Sequence, residues 1–225
     1  MPTALPQPLR NTRVLSLALN LPGPAALMRC ARMGAECTKL EPPPAPGYPS
    51  ADPMGIYSPA AYATLHDGVR VVHAHLKTPE GQTALHDELA RTDVLITSFR
   101  PSALTKLGLG WDALQAQYPR LSLVRIVGAA AERAEEPGHD LTYLADAGLV
   151  TGTEMPPTLY ADMGGALMAS EAVLQALLER AHTGGGVCIE VALADAAAWL
   201  AQPRHWGLTT PDGDVGGHHA GYRIY

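Results

Sequence analysis

His139 and Asp162 are the two side chains whose types and surroundings best suit chemistry. They stand in the stretch PGHDLTYLADAGLVTGTEMPPTLYADMGG, residues 137–165, each in a Gly-rich loop that leads into an expected helix. Histidine titrates near neutrality, and a carboxylate in a partly closed pocket can give and take a proton, so the pair could serve as acid and base. Gly164-Gly165 follows at once. Without Cβ atoms its backbone can approach a ligand and aim amides at developing negative charge. The same residues also admit a structural reading. Aspartate caps helices well, so His139-Asp140 could be a helix start and Asp162 the cap of the next helix.

Such a pair needs a scaffold, and the order of elements supplies an α/β one. Arg13 to Leu19 is a nearly continuous apolar run, the kind of strand that is covered on both faces. Asn20 to Pro24 reads as a turn, with Pro24 starting a helix from Ala25 to Met33 that Gly34 ends. Glu36 to Glu41 is a second strand. This βαβ opening has one glycine where a dinucleotide fingerprint needs three, so an NAD or FAD site is not supported. Residues 42–59 are dense in proline and glycine and read as a lid or wrapping loop anchored by Met54, Ile56 and Tyr57.

Val69 to Leu76 is a third strand that puts His73 and His75 on one face. No third ligand accompanies them; they read as packed or hydrogen-bonded histidines, and no metal site is assigned. Thr78-Pro79-Glu80 has the cap, the first-position proline and the acidic first turn of a helix start, with Leu85 and Leu89 as its buried stripe. Val94 to Phe99 is the next strand. Arg100 stands at its C-terminal edge, where open α/β sheets bind ligands and where a phosphate or carboxylate is the natural partner of a guanidinium; a solvated surface arginine is the competing reading. Short helices from Ser102 to Leu107 and Trp111 to Tyr118 precede a strand from Leu121 to Val127. The longest helix is expected from Met163 to His182, followed by a strand from Val187 to Leu193 and a helix from Ala194 to Ala201. Residues 202–225 contain turns and little periodicity.

Composition narrows the partners. With 16 basic and 22 acidic residues the chain carries a formal charge of -6, which leaves no basic field for a phosphate backbone and argues against nucleic acid. Three scattered cysteines, Cys30, Cys37 and Cys188, fit a reducing compartment. The start, MPTALPQPLRN, lacks the apolar run of a secretory signal and no stretch approaches a membrane span, so a cytoplasmic protein with no membrane partner is expected.

Successive segments also resemble the class III CoA-transferase family, which includes formyl-CoA and carnitine CoA-transferases and the α-methylacyl-CoA racemases. The resemblance rests on Arg13-Val14-Leu15 through Leu21-Pro22-Gly23-Pro24, Met33-Gly34-Ala35-Glu36, Lys39-Leu40-Glu41-Pro42, Leu76-Lys77-Thr78-Pro79-Glu80-Gly81, Asp93 to Ile96 with Ser98-Phe99-Arg100-Pro101, and Leu107-Gly108-Leu109-Gly110. Gly138-His139-Asp140, Ala161-Asp162 and the segment from Leu177 to Gly186 continue it, so it covers roughly residues 10–200. Gly216-Gly217 and Gly221-Tyr222-Arg223 look like the start of a later family segment.

The resemblance implies a Rossmann-like, mostly parallel sheet with helices on both faces, an acyl-CoA substrate and an intertwined homodimer. Coenzyme A would enter as part of the thioester, with no permanently bound cofactor. Asp162 matches the aspartate that acts covalently in transferases and with histidine in racemases. His139 matches the racemase histidine, and Arg100 an arginine near the CoA. The family's basic stretch before the third strand appears here as Leu65-His66-Asp67-Gly68-Val69-Arg70, with less positive charge, and the His139 to Asp162 loop is short by family standards. Because family members continue beyond the position of Tyr225, residues 1–201 are expected to form the CoA-binding domain and 202–225 to begin a second one. A homodimer partner or a separate polypeptide would complete the site. Three activities are expected to compete: α-proton transfer on a 2-methylacyl-CoA, CoA transfer to a carboxylic acid through an aspartyl-CoA anhydride, and thioester binding by a catalytically degenerate chain.

Overall fold

The computed structural model describes residues 6–225, so the first five residues of the proline-rich lead lie outside it. Six strands form one sheet: β1 (Arg13–Ser16), β2 (Glu36–Glu41), β3 (Arg70–His73), β4 (Val94–Thr97), β5 (Ser122–Val127) and β6 (Cys188–Ala192). Every pairing is parallel, in the order β3-β2-β1-β4-β5-β6. The connections carry α1 (Pro22–Arg32), α2 (Pro53–Tyr57), α3 (Pro59–Leu65), α4 (Pro79–Leu89), α5 (Pro101–Lys106), α6 (Trp111–Gln117), α7 (Asp140–Asp146) and α8 (Tyr160–Thr183). After β6 come α9 (Leu193–Leu200) and α10 (Gln202–His205), then turns. This is the doubly wound arrangement expected from the alternation of strand and helix, and its order reverses between β1 and β4, where such sheets open a crevice.

The strands alternate between two apolar layers. Val14, Val94, Ile96, Val124 and Ile126 face one side, against Leu27 and Cys30 of α1 and Ala169 and Val173 of α8. Leu15, Leu95 and Leu123 face the other, against Leu85 and Leu89 of α4 and Leu104 and Leu114 of α5 and α6. Burying each such leucine contributes about 1.5–3 kcal/mol, so the two layers together hold the helices on both faces of the sheet. The branched and small residues are gathered on the α8 side, where a long helix runs close to the strands.

Most elements fall within a few residues of their expected bounds, and the differences are local. The turn expected at Asn20 to Pro24 is already helix from Pro22, a first-turn proline with its φ set for the helix. Gly23 allows this, because a Cβ there would collide with that of Ala18 at the strand exit. The expected wrapping loop at 42–59 folds into α2 and the start of α3. Pro53 and Pro59, read as loop residues, each open one of these helices. The third strand is shorter than expected, ending at His73, and the predicted cap at Thr78 is present, its Oγ1 accepting from the Gly81 amide at 3.2 Å. Among the described residues no helix is long and apolar enough to cross a membrane.

Candidate active site

A cavity of about 500 Å³ opens at the C-terminal edge of the sheet, at the point where the strand order reverses. Leu19 to Pro22 after β1, Ser98 to Arg100 after β4 and Ile126 to Gly128 at the end of β5 line it. His139 and Asp162 both line it, so the structure brings together the two residues singled out by type.

The helix start read at His139-Asp140 is present, with His139 at the cap position of α7 and Asp140 its first residue, whereas the cap read at Asp162 is not. His139 is the exposed residue just before α7, with its N–H donating to Thr142 Oγ1 at 3.3 Å while the Thr142 N–H donates to the His139 carbonyl at 2.8 Å. Asp162 does not cap α8; Leu159 holds the position before the helix and offers no side-chain bond. Asp162 lies within the first turn, and its own N–H is one of the donors that a helix leaves unpaired there. Asp140, the buried first residue of α7, accepts that N–H at 2.9 Å. Asp140 thus ties the His139 turn to the Asp162 turn across 22 residues of chain.

Charge around Asp162 follows from this packing. Burial pushes its carboxyl up to about 6, the neighbouring Asp140 carboxylate adds to the rise, and the His139 charge opposes it. Among the described residues no salt bridge joins Asp162 to a cation. A carboxyl poised near neutrality is suited to exchanging protons. Arg100 is exposed at the rim of the same cavity, just before α5, and makes no ion pair among the described residues.

Gly164 and Gly165 need correction. Both are buried in the second turn of α8, where the helix ladder engages backbone amides, and neither lines the cavity. Their missing Cβ atoms serve packing instead. A Cβ on Gly165 would collide with Leu193 Cδ2, and one on Gly164 would come within 3.2 Å of Leu200 Cδ1 and 3.3 Å of Ala196 Cβ. The glycines let α9 press against α8 beside the turn that carries Asp162.

Two phenols were missed. Tyr143, one helical turn beyond His139, sets its hydroxyl against Gly128 and Gly138, where a Cβ on either glycine would meet it. Tyr57 ends α2 and lines the same cavity. Burial raises both phenols, and the Asp162 charge raises them further; for Tyr57, Asp52 contributes more than Asp162. The four-residue step from His139 to Tyr143 was the available signal for the first. Tyr57 had none, since it read as an apolar anchor of a loop.

The model of CoA-transferase family III matches residues 9–224. The chain belongs to CoA-transferase family III. It is 33% identical to the succinate–glutarate CoA-transferase of Agrobacterium fabrum, over 87% of this chain and 53% of the relative. It is 30% identical to the human α-methylacyl-CoA racemase, over 86% of this chain and 50% of that protein. The crystal structure of a CAIB/BAIF family protein from Brucella suis superposes with a TM-score of 0.79 at 28% identity, covering 92% of this chain and 59% of the other. The chain therefore spans about half the length of the curated relatives it matches. Family III joins acyl-CoA transferases and racemases, in agreement with the resemblance read from the sequence motifs.

Proposed function

We propose that the cavity takes an acyl-CoA thioester and that His139 and Asp162 exchange its α-proton, as in racemization of a 2-methylacyl-CoA. The observation that carries this is the Asp162 carboxyl, raised to about 6 without a cation partner among the described residues and lining one cavity with His139. One of the two, unprotonated, removes the proton from the carbon next to the carbonyl, and the C–H electron pair moves onto the thioester oxygen as an enolate. The other, protonated, returns a proton to the opposite face, and the electron pair moves back. Protons and electrons balance without an oxidant or a bound cofactor, coenzyme A being part of the substrate. The phenols of Tyr143 and Tyr57 remain protonated at neutral pH and are suited to donating to the enolate oxygen, the task first assigned to Gly164 and Gly165. Arg100 at the rim offers its guanidinium to the CoA phosphates, binding remote from the reacting carbon. In this reading a second chain, another copy in an intertwined homodimer or a separate polypeptide, covers the side on which His139 and Tyr57 are exposed.

The 33% identity to a CoA-transferase favours a second reading, in which Asp162 is a nucleophile. Its carboxylate attacks the thioester carbonyl, forming an acyl-aspartyl anhydride and releasing CoA thiolate. The thiolate then attacks the aspartyl carbonyl to give an aspartyl-CoA thioester and the free acid, and a second acid reverses the sequence. Balance thus requires these two covalent species in place of a single aspartyl-CoA anhydride. Incubating the protein with 2-methylbutanoyl-CoA in deuterated water, with and without hydroxylamine, separates the readings. Deuterium at the α-carbon without a trapped adduct supports proton transfer. A hydroxamate on Asp162 without exchange overturns it in favour of transfer. Thioester binding with neither result identifies a chain that binds without turnover.

A further inference from the structure

Behind the cavity wall lies a set of buried charges that neither chemistry uses. Lys39, on β2, is wholly buried, with Nζ paired to Glu41 Oε2 at 3.0 Å and to Asp52 Oδ2. Glu41 Oε1 accepts in turn from Tyr62 at 3.1 Å and Ser50 at 3.3 Å. Burying such ions contributes little net stability, because lost hydration offsets their attraction, so this arrangement calls for a role beyond holding the fold together.

The role is visible in what the other Asp52 oxygen does. Oδ1 accepts the Met54 N–H at 2.9 Å, capping α2, and also the Asn20 N–H at 3.0 Å, 32 residues earlier in the chain. Asn20 has a φ of 65°, a left-handed conformation that asparagine tolerates better than most side chains, and the bond from its N–H to Asp52 helps to hold it there. Asn20 and Tyr57, the last residue of α2, are both cavity walls. One carboxylate, turned by Lys39, therefore grips two walls from behind.

Given the proposed thioester site, we infer that Asp52, clamped by Lys39, is a positioning residue that fixes Asn20 and Tyr57 around the acyl-CoA beside Asp162. The test compares Asp52→Ser and Asp52→Asn with the wild type. Serine is a good helix cap and keeps the Met54 bond, but its short side chain gives up the Asn20 amide. Asparagine keeps an oxygen that can accept both amides, but its NH2 then faces Lys39 Nζ where Asp52 presents an acceptor. Amide exchange by NMR and calorimetric binding of 2-methylbutanoyl-CoA are read on each, with α-proton exchange as the rate. In the serine variant the Asn20 amide is expected to exchange at least about tenfold faster while Met54 stays protected, with thioester affinity about tenfold weaker. The asparagine variant is expected to recover part of both, falling short of the wild type by the lost Lys39 pair. Unchanged Asn20 protection in a folded serine variant overturns the inference, as does lost protection with unchanged binding and rate. An asparagine variant that keeps Asn20 protected yet binds as poorly as serine also overturns it. A wild type that binds no thioester sinks the reading of the cavity itself, a result obtained before any variant is made.

Discussion

The two ends of the parallel sheet hold cavities of similar size, about 500 Å³ at the C-terminal edge and about 560 Å³ at the N-terminal edge, and they differ in how their charges are satisfied. At the N-terminal edge Glu88 receives Arg70 at 2.6 Å and is also paired with Arg91, and Arg13 is closed on Glu36 at 3.1 Å. Burial alone would raise the Glu88 carboxyl, but the two arginines outweigh it and hold it below the ordinary range. At the C-terminal edge Asp162 has a carboxylate for a neighbour, no paired cation among the described residues, and a carboxyl raised to about 6. Volume does not separate a site from a crevice; an uncompensated, titratable charge at the sheet's reversal point does.

The sharpest way to break that contrast is to remove the uncompensated charge. Asp162→Asn is expected to abolish α-proton exchange, and His139→Gln to lower it by ~10²–10⁴-fold, with thioester binding retained in both. Exchange undiminished in both folded variants would end the proton-transfer reading. Asp162 should also reveal itself in stability. A native carboxyl that holds its proton up to about 6, against ~3.9 in the unfolded chain, stabilises the fold below about pH 4 and loses that contribution as pH rises through 6. Urea unfolding should therefore find Asp162→Asn more stable than the wild type at pH 8, by up to roughly 3 kcal/mol, with the gap closing toward pH 4. An equal gap at both pH values would contradict the burial argument.

Smaller effects sharpen the comparison. Gly165→Val drives a side chain into Leu193 and should cost about 1–3 kcal/mol in a thermal or urea melt; a neutral result would show that α9 yields freely. Arg100→Ala should weaken CoA-thioester binding by roughly tenfold, read by calorimetry, while leaving the bound-state exchange rate near that of the wild type. At the opposite edge, Glu88→Gln should cost about 1.5–3 kcal/mol of stability and leave thioester binding and α-proton exchange untouched. Any loss of turnover there would mean that the two edges communicate and the contrast between them is too simple.

Much of this was legible in the chain. Alternating apolar runs and Thr78-Pro79 reported strands and a helix start because those signals act between near neighbours. His139 and Asp162, singled out by type, and Arg100, singled out by its place after a strand, line one cavity. The prolines at 53 and 59 misled, because the same residue breaks a helix or opens one according to what caps it, and the cap at Asp52 also depends on a lysine in β2.

What the sequence determined by itself was the parallel α/β order, the family, and the identity of the chemical groups, since periodicity and motif spacing are properties of the chain alone. Only the tertiary structure decided that Asp140 and not Asp162 satisfies the first turn of α8, that Gly164 and Gly165 are packing surfaces, and that Tyr57 and Tyr143 face the cavity. The reason is that burial and charge are set by neighbours distant in sequence. Asp140 reaches Asp162 across 22 residues and Asp52 reaches Asn20 across 32, and loss of water around Asp162 exists only once those walls have closed.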